Sequence, residues 1–147
     1  MPQSLANVIV DLVFSTKNRV PTITNELRHE LHSYLGGVLK NLACDPITVG
    51  GVENHVHLLF GLSRTVTIAQ ITEKLKTSSA KWAKERHSHL VWQTGYGAFS
   101  IGASDVKQAA GYIRNQETHH RQIDFQDEYR SLLREAGIAF DEKYLWD

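Results

Sequence analysis

The sequence predicts an α+β protein with a ferredoxin-like, split-βαβ fold, in which helices cover one face of an antiparallel sheet and further helices follow at the C-terminus. Segments with strand and helix patterns follow one another in the order β-α-β-β-α-β. Two long segments repeat apolar residues at steps of three and four, as helices with one buried side do. Because a chain of 147 residues has the usual size of one domain, we expect a single domain over residues 1–147.

Four segments have the composition of strands. Residues 7–15 are rich in β-branched and apolar residues, which favour the extended conformation. Residues 46–53 and 55–61 are two further strand-like runs, and only Asn54 separates them, which predicts a tight turn. Residues 95–102 alternate small and aromatic residues and predict the fourth strand of the sheet.

Four segments predict helices because their apolar residues recur on one side of a helical projection. The predicted helices cover residues 24–42, 67–87, 105–118 and 125–136. Thr24 stands at the position of an N-cap for the first of these helices, and Ser104 stands at the same position for the third. Helices of this length can cover one face of the predicted sheet.

The amino-acid composition indicates an ordinary globular protein. The hydrophobic share of 41% and the charged share of 22% are typical of a globular domain. No apolar run approaches the roughly 20 residues that cross a bilayer, and the first residues predict a strand rather than a signal peptide. Cys44 is the only cysteine, which excludes an internal disulfide, so we expect a cytoplasmic protein in which Cys44 is a packing residue.

The net charge of zero argues against a simple nucleic-acid-binding protein, but the charge is unevenly distributed. Residues 1–116 contain 12 Lys and Arg against 8 Asp and Glu, whereas residues 117–147 contain 4 against 8. Residues 74–86 are strongly basic, which is typical of a solvated helix face and is also what phosphate binding requires. A mildly basic body therefore precedes an acidic tail.

The segment NHVHLLFGL, residues 54–62, places two histidines one residue apart in an apolar run. In a strand, His55 and His57 point to the same side, roughly 7 Å apart at the backbone, so both imidazoles could bind one metal ion. This motif alone is a weak signal, and solvent-side residues of a half-buried strand are the more common explanation of such a pair. Two ligands also leave a metal site incomplete, so a third has to come from elsewhere.

The predicted third helix offers such a residue. Gln116 follows Tyr112 by four residues and Gln108 precedes it by four, so one edge of the helix presents a phenol between two amides. An ordinary half-buried tyrosine with polar neighbours gives the same spacing. His119 and His120 could be further ligands, or residues that the helix dipole favours at a C-terminus.

Four segments together resemble a known family. NHVHLLFGL, WQTGYGAFSIG, GYIRNQETHH and the terminal YLW occur in the order and at the separations found in the small single-tyrosine HUH transposases of the IS200-like class. The REP-associated tyrosine transposases are similar relatives. The resemblance extends from about residue 5 to the end of the chain, and the set of motifs is far more specific than any one of them.

The resemblance implies a ferredoxin-like fold, a homodimer and a site that binds Mg²⁺ or Mn²⁺. His55 and His57 correspond to the metal-binding histidines of the family, Gln116 to the residue that completes the metal site, and Tyr112 to the nucleophile. The implied substrate is single-stranded DNA with hairpins near the ends of the element. Attack by Tyr112 would give a 5′-phosphotyrosyl intermediate and a free 3′-OH, and strand transfer would follow.

Two other functions remain open. A domesticated regulator could bind DNA hairpins without catalysis, and a metallohydrolase could use His55 and His57 with water. The presence of both Tyr112 and Gln116 favours the transposase. Basic residues in the first loop, after the histidine strand and on the second helix are candidates for phosphate contacts. These are Lys17, Arg19, Arg64, Lys81, Lys84 and Arg86. Trp92 could stack on a base or pack inside the protein.

Overall fold

The computed structural model describes residues 2–147, and a four-stranded antiparallel sheet organises it. Its strands are β1 (Ile9–Ser15), β2 (Asp45–Val52), β3 (His55–Gly61) and β4 (Gly97–Ile101), in the spatial order β2-β3-β1-β4. Its helices are α1 (Asn25–Asn41), α2 (Ile68–Glu85), α3 (Val106–Arg114), α4 (Gln116–His119), α5 (Phe125–Glu135) and α6 (Glu142–Leu145). This order of elements confirms the predicted ferredoxin-like arrangement.

Side-chain caps set the start of several helices. The Thr24 hydroxyl accepts a hydrogen bond from the Leu27 backbone amide, as the sequence predicts for α1. Thr67 and Gln70 form a capping box at the start of α2. Ser104 does not cap α3, because the chain forms a short 3-10 turn over Ala103–Asp105 before the helix begins.

The two faces of the sheet bury different helices. Leu12, Phe14 and Leu58 point to the face that α1 and α2 cover, and they form the larger apolar core with Leu35 and Leu75 of these helices. Cys44 is buried in the same core, as predicted. Because residues alternate along a strand, the neighbours of these residues on β1 and β3 point to the opposite face. That opposite face carries buried polar residues, among them Asp11, His55 and His57.

The opposite face is covered by α3 and α5, so helices lie on both sides of the sheet. Val13 and Phe99 pack against Phe125 and Tyr129 of α5, and Leu59 packs against Ile113 of α3. The helices predicted at the C-terminus therefore form a second layer, on the face of the sheet opposite α1 and α2. No helix in the described part of the chain is long and apolar enough to cross a membrane.

Two glycines allow this second layer to approach the sheet. A Cβ atom on Gly50 of β2 would lie 2.3 Å from the Ile113 carbonyl oxygen, and a Cβ atom on Gly97 of β4 would lie 2.6 Å from the Tyr129 ring. A side chain at Gly50 would displace the backbone of α3, and one at Gly97 would displace the Tyr129 ring of α5. Glycine at both positions thus brings residues of these helices within reach of the histidine strand.

The predicted helix over residues 105–118 is interrupted. The structure ends α3 at Arg114, places Asn115 at φ −97° and ψ 19°, and begins α4 at Gln116. The side chains after Asn115 therefore do not continue the regular helical spacing on which the prediction was based.

Candidate active site

His55 and His57 lie on β3 and point to the same side of the sheet, as alternate residues of a strand do. Both are fully buried, with 0% of their surface exposed, and their ring centroids are 5.4 Å apart. The interpretation that they are solvent-side residues of a half-buried strand is therefore wrong. Two imidazoles buried together need polar partners inside the protein, because a buried polar group without a partner is costly.

One nitrogen of each histidine faces a neighbouring acceptor. Nδ1 of His55 lies 2.8 Å from Oδ1 of Asn54, and Nδ1 of His57 lies 3.3 Å from Oδ1 of Asp11. Since both oxygens accept hydrogen bonds, each Nδ1 carries a proton. This arrangement orients both rings and leaves the Nε2 atoms to face the centre of the site.

Tyr112 and Gln116 reach the histidines from the helices that cover this face. Oε1 of Gln116 lies 2.8 Å from Nε2 of His55, and the ring centroid of Tyr112 lies 6.1 Å from that of His57. Gln108 and Tyr112 line the same surface cleft. The structure therefore brings together, within one chain, the residues that the sequence predicted for catalysis and metal binding: His55, His57, Tyr112 and Gln116.

His55, His57, Tyr112 and Gln116 form a cluster. At its centre lies Glu128 of α5, which the sequence motifs did not predict. Glu128 is only 2% exposed. Its Oε1 lies 3.0 Å from Nε2 of His57 and 3.6 Å from Nε2 of His55, while its Oε2 accepts a hydrogen bond from the Tyr112 hydroxyl. A signal was present, since Glu128 follows Phe125 by three residues and so lies on the apolar side of α5, where an acidic residue is unexpected.

The end of α4 brings two more imidazoles to the cluster. Nδ1 of His120 donates to the carbonyl oxygen of Ile123 over 2.8 Å, and its Nε2 lies 3.2 Å from Oε2 of Glu128. Nε2 of His119 lies 3.3 Å from the same carboxylate oxygen and 3.0 Å from the Tyr112 hydroxyl. The two histidines do lie at a helix C-terminus, as predicted, but they also face the cluster.

Burial and charge together perturb the titration of the cluster. Burial disfavours a charged Glu128, but hydrogen bonds with the surrounding imidazoles hold its pKa well below the usual range. Burial also disfavours a charged His57, yet Asp11 and Glu128 outweigh burial and raise the pKa of His57 to about 10. Burial and the neighbouring His57 lower the pKa of His55, which is therefore neutral. Burial, together with Glu128, raises the pKa of the Tyr112 phenol.

Comparison with known proteins decides the family. Residues 4–116, which include the histidine strand and Tyr112, match the family of IS200-like transposases. The chain belongs to this family. Glu128, His119 and His120 lie beyond the matched region. No curated protein matches the IS200-like chain closely enough to count as a relative.

Two solved structures share the fold of this IS200-like transposase. One, assigned as a transposase from Deinococcus radiodurans R1, has a TM-score of 0.60 and 21% identity, covering 79% of this chain and 95% of that chain. The other is a REP-associated tyrosine transposase bound to a REP hairpin, with a TM-score of 0.62 and 13% identity, covering 96% of this chain and 90% of that chain. Both likenesses agree with the ferredoxin-like fold.

The donor atoms of the IS200-like site fit a divalent metal ion. Nε2 of His55, Nε2 of His57 and a carboxylate oxygen of Glu128 all lie within 4.8 Å of one another. Nε2 of neutral His55 and Oε1 of Gln116 are both acceptors, and they face each other at 2.8 Å. A cation bound by the two histidines and Glu128 would lie beside both of these atoms. The residues present thus suit the metal ion that the resemblance implies.

The predicted DNA-contacting residues are spread around the molecule. Lys17 and Arg19 follow Ser15, which pairs with His55, so they lie at the end of the sheet nearest that histidine. Arg64 follows β3 at the other end of the strand. The remaining three lie on α2 or at its end, on the opposite face of the sheet from the histidines: Lys81, Lys84 and Arg86. Only the first two are near the candidate active site.

Two clefts reach the cluster from the surface. A cleft of about 430 Å³ is lined by Tyr112, His119 and Glu128. A second, of about 450 Å³, is lined by His120 together with the basic residues Arg28 and Arg121. Trp92, in contrast, is buried against the core and its Nε1 donates to the Ser79 hydroxyl, so it packs and does not stack on bases.

Proposed function

We propose that this IS200-like transposase is a metal-dependent enzyme that cuts and rejoins single-stranded DNA, with Tyr112 as the nucleophile. The observation that supports this most directly is the contact between the Tyr112 hydroxyl and Glu128, whose other carboxylate oxygen faces His57. A nucleophile, a proton acceptor and a candidate cation site therefore adjoin one another. The phenol also lines a cleft that is open to the surface.

Tyr112 needs to lose its proton, because the neutral phenol is a weak nucleophile and its pKa is raised in this site. Glu128 accepts that proton as the Tyr112 oxygen bonds to phosphorus and the bond from phosphorus to the 3′ oxygen breaks. The proton then passes to the departing 3′ oxygen. The products are a 5′-phosphotyrosyl chain and a free 3′-OH, and attack by a 3′-OH on the phosphotyrosine reverses the step and joins the strands without ATP.

We assign the metal ion to His55, His57, Gln116 and Glu128. A bound Mn²⁺ or Mg²⁺ would neutralise charge on a non-bridging oxygen of the scissile phosphate. Two imidazoles with two oxygen donors suit Mn²⁺, whereas Mg²⁺ prefers an all-oxygen shell. Asn54 and Asp11 orient the two histidines for this role through the Nδ1 contacts.

We further propose that the DNA carries hairpins and that two chains form a homodimer. The first proposal is supported by the fold shared with a REP-associated tyrosine transposase that is bound to a REP hairpin. The second rests on the resemblance alone and is tested by light scattering of the purified chain. Tyr112 lies beside His57 of its own chain, so we propose that it acts in the site of its own subunit.

The function is tested by trapping the covalent intermediate. Purified protein is incubated with Mn²⁺ and 5′- or 3′-labelled single-stranded DNA that carries the hairpins flanking its gene, and is then run on a denaturing protein gel. We expect a slower band that carries only the label 3′ to the cut, and its loss in Tyr112→Phe. Tyr144→Phe is the matched control, because Tyr144 is 60% exposed on α6 and should leave the band unchanged.

Two outcomes would favour the other functions. A wild-type chain that binds the hairpin but never forms the band would indicate a regulator without catalysis. DNA cleavage that survives in Tyr112→Phe would indicate that the metal site activates water.

A further inference from the structure

We propose that the cluster has a second position for a transition-metal dication, formed by His119, His120 and Glu128, beside the position formed by His55 and His57. The donor atoms of His119, His120 and Glu128 lie within 4.8 Å of one another, as do those of the first group. Glu128 belongs to both groups. This inference deepens the proposed function, since it adds a second ion to the same site.

The two oxygens of Glu128 face different pairs of imidazoles. Oε1 lies 3.0 Å from Nε2 of His57 and 3.6 Å from Nε2 of His55. Oε2 lies 3.2 Å from Nε2 of His120 and 3.3 Å from Nε2 of His119. A carboxylate placed in this way can bridge two ions, which in two-metal sites lie roughly 3.5–4 Å apart. A single ion on one side of Glu128 would leave the imidazoles on the other side without a cation.

His120 is prepared for metal binding in the same way as the histidines of β3. Its Nδ1 donates to the carbonyl oxygen of Ile123, which can only accept, so its Nε2 carries a lone pair when the ring is neutral. That Nε2 lies 2.9 Å from Oε1 of Gln116 and 3.2 Å from Oε2 of Glu128. Oε2 of Glu128 accepts hydrogen bonds from Nε2 of Gln116 and from the Tyr112 hydroxyl, so a cation bound by His120 and Glu128 would take the place of these donors.

The second position adjoins the nucleophile. Nε2 of His119 and Oε2 of Glu128, which would bind the ion, are also the partners of the Tyr112 hydroxyl. The ion and the phenolic proton therefore compete for Oε2 of Glu128, and binding of the second ion favours Tyr112 without its proton. With the second position filled, this proton leaves to solvent and solvent supplies the proton that the departing 3′ oxygen takes up, whereas Glu128 carries the proton when only the first position is filled. The phenolate and a DNA phosphate would supply anions to balance the added charge.

The donor set indicates which ions the second position takes. Two imidazoles and one carboxylate are suited to first-row transition metals such as Mn²⁺, Co²⁺ or Zn²⁺, whereas Mg²⁺ prefers oxygen ligands and keeps its waters. We therefore use Mn²⁺ as the probe, because two adjacent Mn²⁺ ions give a spin-coupled EPR spectrum that isolated ions do not.

The experiment counts ions and detects their coupling. The metal-stripped full chain is titrated with Mn²⁺, the bound metal per chain is measured by calorimetry and elemental analysis, and the EPR spectrum is recorded at saturation. We expect two ions per chain and a coupled spectrum for the wild type. The double variant His119→Asn, His120→Asn should bind one ion and give an uncoupled spectrum. His89→Asn is the matched control, because His89 is exposed on a loop away from the cluster, and it should keep both ions.

Three results would overturn the second position. They are one ion per wild-type chain, an uncoupled spectrum at two ions, or two coupled ions retained in the double variant. If the double variant fails to fold by circular dichroism, His119→Asn alone serves, because that side chain is 30% exposed, and it should weaken the second binding step at least tenfold. A chain that binds one ion and still forms the phosphotyrosyl band would refute the second position and leave the proposed function intact. A chain that binds two coupled ions but never forms the band would support the second position and contradict the proposed function.

Discussion

The hydroxyl group of Tyr112 donates a hydrogen bond to the carboxylate of Glu128, a residue on a different helix and 16 positions further along the chain. The same carboxylate contacts His57 at 3.0 Å. Glu128 therefore connects the nucleophile of the proposed reaction to the histidine strand.

Glu128→Gln should slow formation of the phosphotyrosyl band by at least about 100-fold, because an amide neither accepts the phenolic proton nor supplies negative charge to a metal ion. Single-turnover kinetics with labelled DNA measure the effect. Glu26→Gln, an exposed change at the start of α1 that lies outside both clefts, is the control and should keep the wild-type rate. A Glu128→Gln rate within threefold of the wild type would contradict the role of this carboxylate.

Asp11→Asn should weaken Mn²⁺ binding by about 10- to 100-fold. The Asp11 carboxylate faces Nδ1 of His57, and loss of such a partner typically costs this much in metal affinity. Calorimetric titration of the metal-stripped protein measures it. Asp45→Asn, on the exposed start of β2, is the control for loss of one negative charge on a strand, and its affinity should be unchanged. Equal affinities of Asp11→Asn and the wild type would show that Asp11 does not support the metal site.

Gly50→Ala should destabilise the protein by about 1–3 kcal/mol and reduce DNA cleavage, because the added methyl group pushes α3 and Tyr112 away from the sheet. Gly37→Ala is the matched control, since Gly37 lies on α1 with no atom within 4 Å of the added Cβ. The control should stabilise the protein by about 0.5–1 kcal/mol through helix propensity alone. Urea unfolding gives both values. A Gly50→Ala protein as stable and active as the wild type would contradict the close approach of α3.

His32 should make the free energy of unfolding decrease in mild acid. Burial, together with Arg28 and His29, lowers the pKa of His32 to about 4 from its ordinary value of 6.5, and its Nε2 has no hydrogen-bond partner. Between these two values the unfolded chain binds the proton and the folded chain does not, so stability falls as the pH drops from 6.5 to 4.

The expected loss of stability is at most about 3.5 kcal/mol, from roughly 1.4 kcal/mol per pKa unit. His32→Asn should remove this part of the loss. Urea unfolding at pH 7 and pH 4.5, in the wild type and the variant, isolates the contribution. An equal loss of stability in both proteins would show that His32 is not its source.

Arg28 and Arg121 should contribute to DNA binding near the site, because they line the cleft that reaches His120. The double change Arg28→Gln, Arg121→Gln should weaken binding of a short unpaired strand by about tenfold and reduce the salt dependence of binding. Lys81→Gln with Lys84→Gln should leave binding of the short strand unchanged, since α2 lies on the opposite face of the sheet. Fluorescence anisotropy at several salt concentrations distinguishes the two sets. Equal effects of both double changes on the short strand would contradict this assignment.

Local patterns were enough to predict most of the fold. The strand over residues 55–61 was predicted with the bounds that the structure shows, because its apolar alternation and the turn at Asn54 are local signals. Thr24 was predicted as a cap for the same reason. The break at Asn115 was not predicted, since nothing in the helical spacing of residues 105–118 marks it.

The sequence by itself determined the order of elements, the shared face of His55 and His57 and the family to which the chain belongs, because these depend on short-range periodicity and on motifs. Only the tertiary structure decided that Glu128, His119 and His120 join them. Their approach depends on how α3, α4 and α5 pack across the sheet, which Gly50 permits for α3 and Gly97 for α5. Helical spacing places Glu128 on the apolar side of α5, but which residues it meets there depends on long-range packing that local patterns do not encode.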